Sequence, residues 1–408
     1  MRGARALLSA QAVRRAGDRV LQLALGTGLD DWTVDLDRLS ITADFVADVI
    51  KQRYPSLDVP VHSRWRHFVL EGHDLWAALA RDARWNSAEA RARAAFDLVI
   101  TSVLLDAGAG AAWTFRDEEH TGLVVARSEG LALASLRWFA SGSLSDAQTD
   151  PYRVDAAALG RGDEPSIERA FQAGETNPLA GLRGRAALLN RLGAAIVSRP
   201  DLFAIEDTPR PGGLFDALCL RAVHGRLPAA TILEMLLEAL GPIWQSRPCL
   251  SGVPLGDCWP HPGLEGLRPE DGYVPLHKLS QWLTYSLIEP LEQAGIVVSN
   301  LHELTGLAEY RNGGLFIDMG VLAPREVSAL STVHAVGCPF VVGWRALTVA
   351  LLDRLAPIVG ARLGLEHELF PLARMLEGGT WAAGRIVARS KRADGGPPFN
   401  VLSDGTVF

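Results

Sequence analysis

The sequence predicts a mainly α, multi-helix protein with minor β content, and three observations carry that prediction. Apolar residues recur at helical rather than alternating spacing along most of the chain. Capping residues and glycines punctuate these stretches at helix-length intervals. Strand-like runs are few, with GLVVAR (122–127) and GLFIDMGVL (314–322) as the candidates. At 408 residues the chain can bury a large core. Its 48% hydrophobic and 21% charged residues are the balance of a globular protein, not a disordered one.

The elements follow in chain order. MRGARALLSAQAVRRAGDRVLQLALG reads as an amphipathic helix stopped near Gly26, because Arg14, Arg15, Asp18 and Arg19 break any apolar core that a signal peptide would need. Phe45, Val46, Val49 and Ile50 form one face of a helix predicted to start at Thr42. Ser87 caps a long helix reaching about Asp106 and closed by Gly108, and Ser128 caps another ending near Gly142. GLRGRAALLNRLGAAIVSR (181–199) and ATILEMLLEALG (230–241) are two more. Pro275 fits the first helical position of PLHKLSQWLTYSLIEPLEQAG. Asn300 with Glu303 three residues on starts a further helix, which Asn312-Gly313 would stop, placing Glu309 in its last turn. Helices over 344–363 and 372–389 complete the series, and the acidic, proline-containing stretch near 160–180 reads as surface loop. With no repeat and no clear linker, 1–408 reads as one interleaved helical unit with two lobes, about 1–200 and 201–408.

Charge and cysteine usage narrow the function classes. A net charge of -7 and a pI near 5.8 argue against a nucleic acid polymer as partner, whose phosphates need a basic surface. The most apolar internal run, 96–105, is too short to span a membrane and contains Asp97. Cys219, Cys249, Cys258 and Cys338 make no CxxC, so reduced thiols and a cytoplasmic location are expected. Gly108 and Gly110 begin a GxG run, but Trp113 stands where the dinucleotide fingerprint requires a third glycine, and the run follows a helix. His62, His67 and His73 lack HExxH spacing, Cys258 and His261 find no good second pair, and no GxSxG occurs. No metal and no cofactor are therefore expected.

One segment stands apart. Residues 257–318 contain three of the five tyrosines, Trp259, Trp282 and the compact Glu309-Tyr310-Arg311. Of the 40 basic residues only Lys51, Lys278 and Lys391 are lysine, and Lys278 alone lies in an apolar, aromatic helix. A lysine kept in an arginine-writing chain marks a place where a compact ammonium suits and a planar fork does not. Lys278, Trp282, Tyr285 and Glu289 share one stripe of that helix. By pattern alone the stripe is equally a packed aromatic face with a lysine reaching to solvent.

HKLSQWLTYSLIEPL, LTGLAEYRNGGLF, LEGGTWAAGR and the terminal SDGTVF resemble an uncharacterised family linked to uracil catabolism in fungi and bacteria. RWRHF (64–68), LVITSVLLDAGAG (98–110), RSEGLALASL (127–136) and GWRALTVALLD (343–353) belong to the same pattern, so the resemblance covers nearly the whole chain. It implies a place in a pyrimidine-degradation route that passes through ring-opened uracil nucleotides. A more distant resemblance lies in the order of a lysine-bearing amphipathic helix, an LT-x-x-A-acid-Tyr-Arg motif, a late Thr-Trp-Ala helix and an apolar C-terminus. That order is similar to the queuosine 5′-phosphate N-glycosylase family. It implies a DNA-glycosylase-like helical architecture and hydrolysis of the N-ribosidic bond of a nucleoside monophosphate. The acid of that family's motif is Asp where this chain has Glu309, and the residues after Arg311 differ as well.

Together the resemblances imply a metal-independent N-glycosidase acting on a small phosphorylated nucleoside-like substrate such as phosphoribosylurea. Glu309 would stabilise positive charge on the ribose, with Asp257 or Asp318 as the second acid. Lys278 and Arg311 would bind the 5′-phosphate, with Tyr310, Tyr285 and Trp282 lining the substrate. A non-catalytic partner or regulator of uracil-degrading enzymes is the competing expectation. An exposed apolar patch in place of an enclosed Glu309 site would favour it.

Overall fold

Apart from Arg345, PFVVGWRALTVALL is apolar on every face, and a helix of that kind has to be buried. It forms the first part of the 25-residue helix Pro339–Leu363, whose side chains from Phe340 to Leu352 are all buried. The computed structural model describes residues 1–402 except Thr27, Ala111, 120–121, Gln148, Glu265 and 367–369. The SDGTVF motif at 403–408 lies outside the described residues. The architecture is mainly helical. Strands among the described residues occur only as eight two-stranded pairs, each three or four residues long at most. No described helix is long and apolar enough to cross a membrane.

Two compact units, each discontinuous in sequence, make up the chain: Met1–His62, Ser246–Gln281 and Asn300–Leu402 in one, Ser63–Gln245 and Trp282–Ser299 in the other. In the first unit, helices Ala10–Leu25, Arg38–Arg53 and Tyr310–Asp318 pack on Pro339–Leu363. Helix Ala10–Leu25 comes within backbone reach because Gly17 has no side chain; a Cβ there would lie 3.1 Å from the Ala346 carbonyl. Helix Trp381–Lys391 closes on Tyr310–Asp318 at Gly384, where a Cβ would lie 2.3 Å from the Arg311 carbonyl oxygen. Between Leu372–Met375 and Trp381–Lys391 the chain makes a single π-helical turn, Leu376–Thr380.

The second unit is organised around buried arginines. Ala88–Leu104 starts at Ser87, whose hydroxyl accepts from the Ala90 N–H. Its far end is gathered by Arg185, which donates to the carbonyls of Leu105, Ala107 and Gly108. Burial pushes the Arg185 guanidinium down to about 10. The glycine run after this helix is thus a helix stop bound by one arginine. Arg64, fully buried, donates to Ser102 and Ser128 and pairs with Asp106 at 3.1 Å. Three of the family motifs therefore meet in one buried polar network.

Several expectations need correction. Thr42 lies inside helix Arg38–Arg53, and Ser128 spends its hydroxyl on Asp106 while helix Arg127–Ala140 begins one residue earlier. Pro275 ends the strand Tyr273–Pro275, and the helix starts at Lys278. The 160–180 stretch contains helix Glu164–Ala170, capped by Asp163. Most consequentially, only Leu301–Glu303 is helical (3-10) before Glu309, and the expected strand at 314–322 is mostly helix Tyr310–Asp318. Asn312-Gly313-Gly314 does not stop a helix but lies inside one. A Cβ on Gly313 would lie 2.4 Å from the Trp344 ring, so packing against the long helix outweighs glycine's poor propensity of about 1 kcal/mol.

Gly384→Ala tests the backbone contact between the two C-terminal helices. The added methyl must displace the Arg311 carbonyl, so a loss of about 1–3 kcal/mol is expected in urea denaturation. Unchanged stability would show that the contact is loose.

Candidate functional site

Asp257 follows a turn before the strand Cys258–Pro260, and that strand pairs with Tyr273–Pro275. Its carbonyl accepts from the N–H groups of Leu276 and His277, and its carboxylate accepts from the Lys278 N–H at 3.0 Å. His277 adopts a left-handed conformation, φ 47°, to make the turn into the helix. His and a few polar residues tolerate this region better than others, and such strain gathers at functional sites. The His277 Nε2–H donates to the Leu7 carbonyl at 2.9 Å. Burial holds the imidazole below its usual range, so the ring is neutral at pH 7.

The carboxylate of Asp257 is gripped from the other side by Arg345, fully buried in the long helix. Nη1 and Nη2 each lie 2.7 Å from one carboxylate oxygen, and Trp259 Nε1 donates as well. Burial opposes the charge on Asp257, but Arg345 and these donors hold the carboxyl well below its usual range. Arg345 Nε then reaches the Ala308 carbonyl at 3.1 Å. One guanidinium thus fixes both the turn that presents Lys278 and the residue before Glu309.

Glu309 is the N-cap of helix Tyr310–Asp318. Its Oε2 accepts from the Arg311 N–H and its Oε1 from the Asn312 N–H, each at 2.7 Å. The helix dipole therefore favours this carboxylate, the reverse of the expectation from sequence. Glu309 is only 6% exposed. Burial raises its pKa, partly opposed by the two backbone donors, by Lys278 and by Arg311. The Asn312 amide donates to the Leu307 carbonyl, and Gln281 Nε2 donates to Thr305 Oγ1 at 2.6 Å. The loop 305–309 is held on both flanks by side chains from the helices that follow and precede it. Gly306 lets it lie against Leu352, which a Cβ would meet at 2.4 Å.

The structure thus brings together Lys278, Glu309, Arg311 and Asp257 within the first unit. Arg311 donates through Nη1 to the Gly395 carbonyl and lies 4.9 Å from the centroid of the Tyr310 ring. Asp318 is not part of this group. It sits at the opposite end of helix Tyr310–Asp318, roughly 12 Å along the axis, in a two-point pair with Arg392. Trp282 and Tyr285 lie on helix Lys278–Gln293 as expected but belong to the second unit, where Trp282 contacts the His67 ring at 5.8 Å and Tyr285 is fully buried. Sequence reasoning missed Arg345, Gln281 and Asn312. The signal for Arg345 was available: one arginine inside an otherwise apolar run needs a buried anion.

Comparison with known proteins follows from this geometry. Residues 6–408 match the family described as "Protein of unknown function (DUF1688)". The chain belongs to that family. It is 39% identical to "Protein urg3" of Schizosaccharomyces pombe over 98% of each chain. It is 35% identical to "Uracil catabolism protein 4" of Lachancea kluyveri, covering 92% of this chain and 91% of the relative. The resemblance read from the motifs holds over nearly the full length.

The Glu309 carboxyl carries a stability consequence with a definite sign. Its folded pKa lies above the unfolded value of about 4.5, so the native state binds the proton more tightly. Stability falls as pH rises through the folded pKa. Glu309→Gln has no such proton. It is expected to match wild type near pH 4 and exceed it near pH 8, measured as urea midpoints at both. A variant less stable at pH 8 would mean that the cap hydrogen bonds outweigh desolvation.

Proposed function

We propose that this chain acts in uracil catabolism by hydrolysing the N-ribosidic bond of a ring-opened uridine nucleotide product. Phosphoribosylurea is the substrate favoured, and urea and ribose 5-phosphate are the products. The name carried by the Lachancea relative supports the pathway. The observation that supports the chemistry is Glu309: a buried carboxylate, aimed by two backbone N–H groups, with the Lys278 ammonium close enough to stabilise its charge.

Departure of the nitrogen builds positive charge on the ribose ring. A preorganised carboxylate in a dry site stabilises that charge and accepts a proton from the attacking water. Both oxygens of Glu309 keep a lone pair beyond the one given to the helix, so capping and catalysis are compatible. Lys278 and Arg311 are the cations for the 5′-phosphate. Glu309 is longer than the Asp of the similar glycosylase motif by one methylene, and its folding back onto the helix start offsets that reach. Asp257 serves as the anchor of the Lys278 turn, since a carboxylate held ionised by Arg345 is no proton donor.

Release of ribose 5-phosphate from phosphoribosylurea is the test. Glu309→Gln is expected to lower kcat on the order of 10²–10³ while the protein stays folded. Lys278→Arg keeps the charge but not the shape, and is expected to cost about 1–3 kcal/mol in transition-state binding, read from kcat/KM. A folded Glu309→Gln protein with full activity would sink the mechanism. Wild type that binds such nucleotides without cleaving them would put a regulatory role in its place. The reaction needs no metal, so activity should survive EDTA.

A further inference from the structure

The second unit contains a cleft of about 550 Å³ that shares no residue with the Glu309 group. That volume suits a small organic molecule and exceeds what a bare ion needs. Every residue lining it lies between Phe115 and Gln172, so one continuous stretch of chain builds it. Phe115, Trp138 and Leu144 supply a buried apolar lining. The Trp138 ring is fixed edge-on against Phe171, with 6.1 Å between centroids.

Four arginines line the same cleft: Arg116, Arg137, Arg161 and Arg169. Charge pairing separates them. Arg137 grips the buried Asp117 at two points, 2.9 and 2.8 Å, and meets Glu119 at 2.7 Å. Arg161 pairs with Asp146, both at the surface, where such pairs are weak. Arg116 and Arg169 have no carboxylate partner among the described residues. Arg116 Nη1 donates to the Gly122 carbonyl at 3.2 Å, and Arg169 Nη2 donates to Ser166 Oγ at 3.3 Å. A guanidinium has five N–H donors, so both keep donors for a ligand. Of the lining carboxylates, Asp117 and Glu119 are taken up by Arg137, which leaves Glu118 against two guanidiniums. The cleft is thus locally basic on a chain of net charge -7.

The strand that carries Arg116 is held on both edges. Thr114–Asp117 pairs with Leu123–Ala126 on one side. On the other, two amide side chains stand in for a strand. Gln172 Oε1 accepts from the Arg116 N–H at 2.9 Å, and its Nε2 donates to the Arg116 carbonyl at 2.8 Å. Asn177 does the same at Thr114. Gln172 takes a left-handed φ of 52°, a conformation that persists only where the surroundings impose it. Arg116 therefore starts from a fixed backbone, which lowers the cost of ordering it on a ligand.

We propose that this cleft binds a small phosphomonoester carrying a planar ring, with the phosphate held by Arg116 and Arg169 and the ring over Trp138. Guanidinium forks match phosphate oxygens two at a time, and the apolar lining suits a ring. The proposal does not rest on the N-ribosidase reading.

Arginine modification by phenylglyoxal, read peptide by peptide by mass spectrometry, locates binding on the intact chain. The probes are uridine 5′-monophosphate, uridine and inorganic phosphate. With the monophosphate at about ten times its dissociation constant, modification of Arg116 and Arg169 is expected to slow about tenfold, while exposed Arg226 reacts unchanged. Uridine should protect neither arginine, and inorganic phosphate should protect both only at higher concentration. In the double variant Arg116→Gln, Arg169→Gln, both changes at exposed positions, the monophosphate should no longer protect Arg161 on the same cleft. Equal modification of Arg116 and Arg169 with and without the monophosphate would overturn the site. Equal protection by uridine would overturn the phosphate contact, and equal protection by inorganic phosphate would overturn the ring contact. Binding at Lys278 and Arg311 does not register at these arginines, so failure of the N-ribosidase reading leaves the result intact.

Discussion

The first unit depends on one ion pair. Arg345 spends three N–H groups on two tasks: a two-point grip on Asp257 and a bond to the Ala308 carbonyl. An arginine in the middle of a buried helix is costly unless its donors are satisfied, and removing one partner of such a pair typically costs about 3–5 kcal/mol. Replacing the pair with apolar residues of matching volume is often neutral for stability. What such a replacement could not do is set the start of the Lys278 helix and the 305–309 loop in one frame. Retention of the pair is thus better explained by geometry than by stability.

Glu309 shows how one misplaced helix boundary reverses an electrostatic argument. From sequence, Asn312-Gly313-Gly314 reads as a stop, which sets the acid against the negative end of a helix. In the fold the same residues are the third to fifth of the next helix, and the acid sits at its positive end. The chemical suspicion attached to Glu309 outlived the loss of its original reason. Two effects now compete at the residue: the dipole and two N–H groups favour its charge, and burial disfavours it. The net upward shift means that desolvation prevails, which suits the proposed role of proton acceptor.

The fold class was legible because long segments such as 88–104 and 344–363 repeat apolar residues at helical spacing, and Ser87 and Gly26 mark true ends. Boundaries set by distant packing were not. Gly313 and Gly384 look like breakers until Trp344 and the Arg311 carbonyl are seen pressed against them. The candidate site was half legible. Lys278, Glu309 and Arg311 stood out by rarity and motif, but Arg345 is far from them in sequence, and its partners cannot be read from spacing. The discontinuity of both units makes this unavoidable, because three separate stretches of chain build the first.

The family motifs also divide by physical role. RWRHF, LVITSVLLDAGAG and RSEGLALASL meet around Arg64, Ser102, Asp106 and Ser128, a buried network of hydrogen bonds and an ion pair. Such a network specifies a core. LTGLAEYRNGGLF and LEGGTWAAGR behave differently. The glycine of the second motif, Gly384, presses its helix onto the Arg311 carbonyl at backbone distance, and Glu309 caps the helix it meets. An apolar residue at 309 would take the acceptor away from the Arg311 and Asn312 N–H groups at the helix start. The two motifs together fix where the Glu309 carboxylate stands, and that is why the proposed chemistry is centred on them.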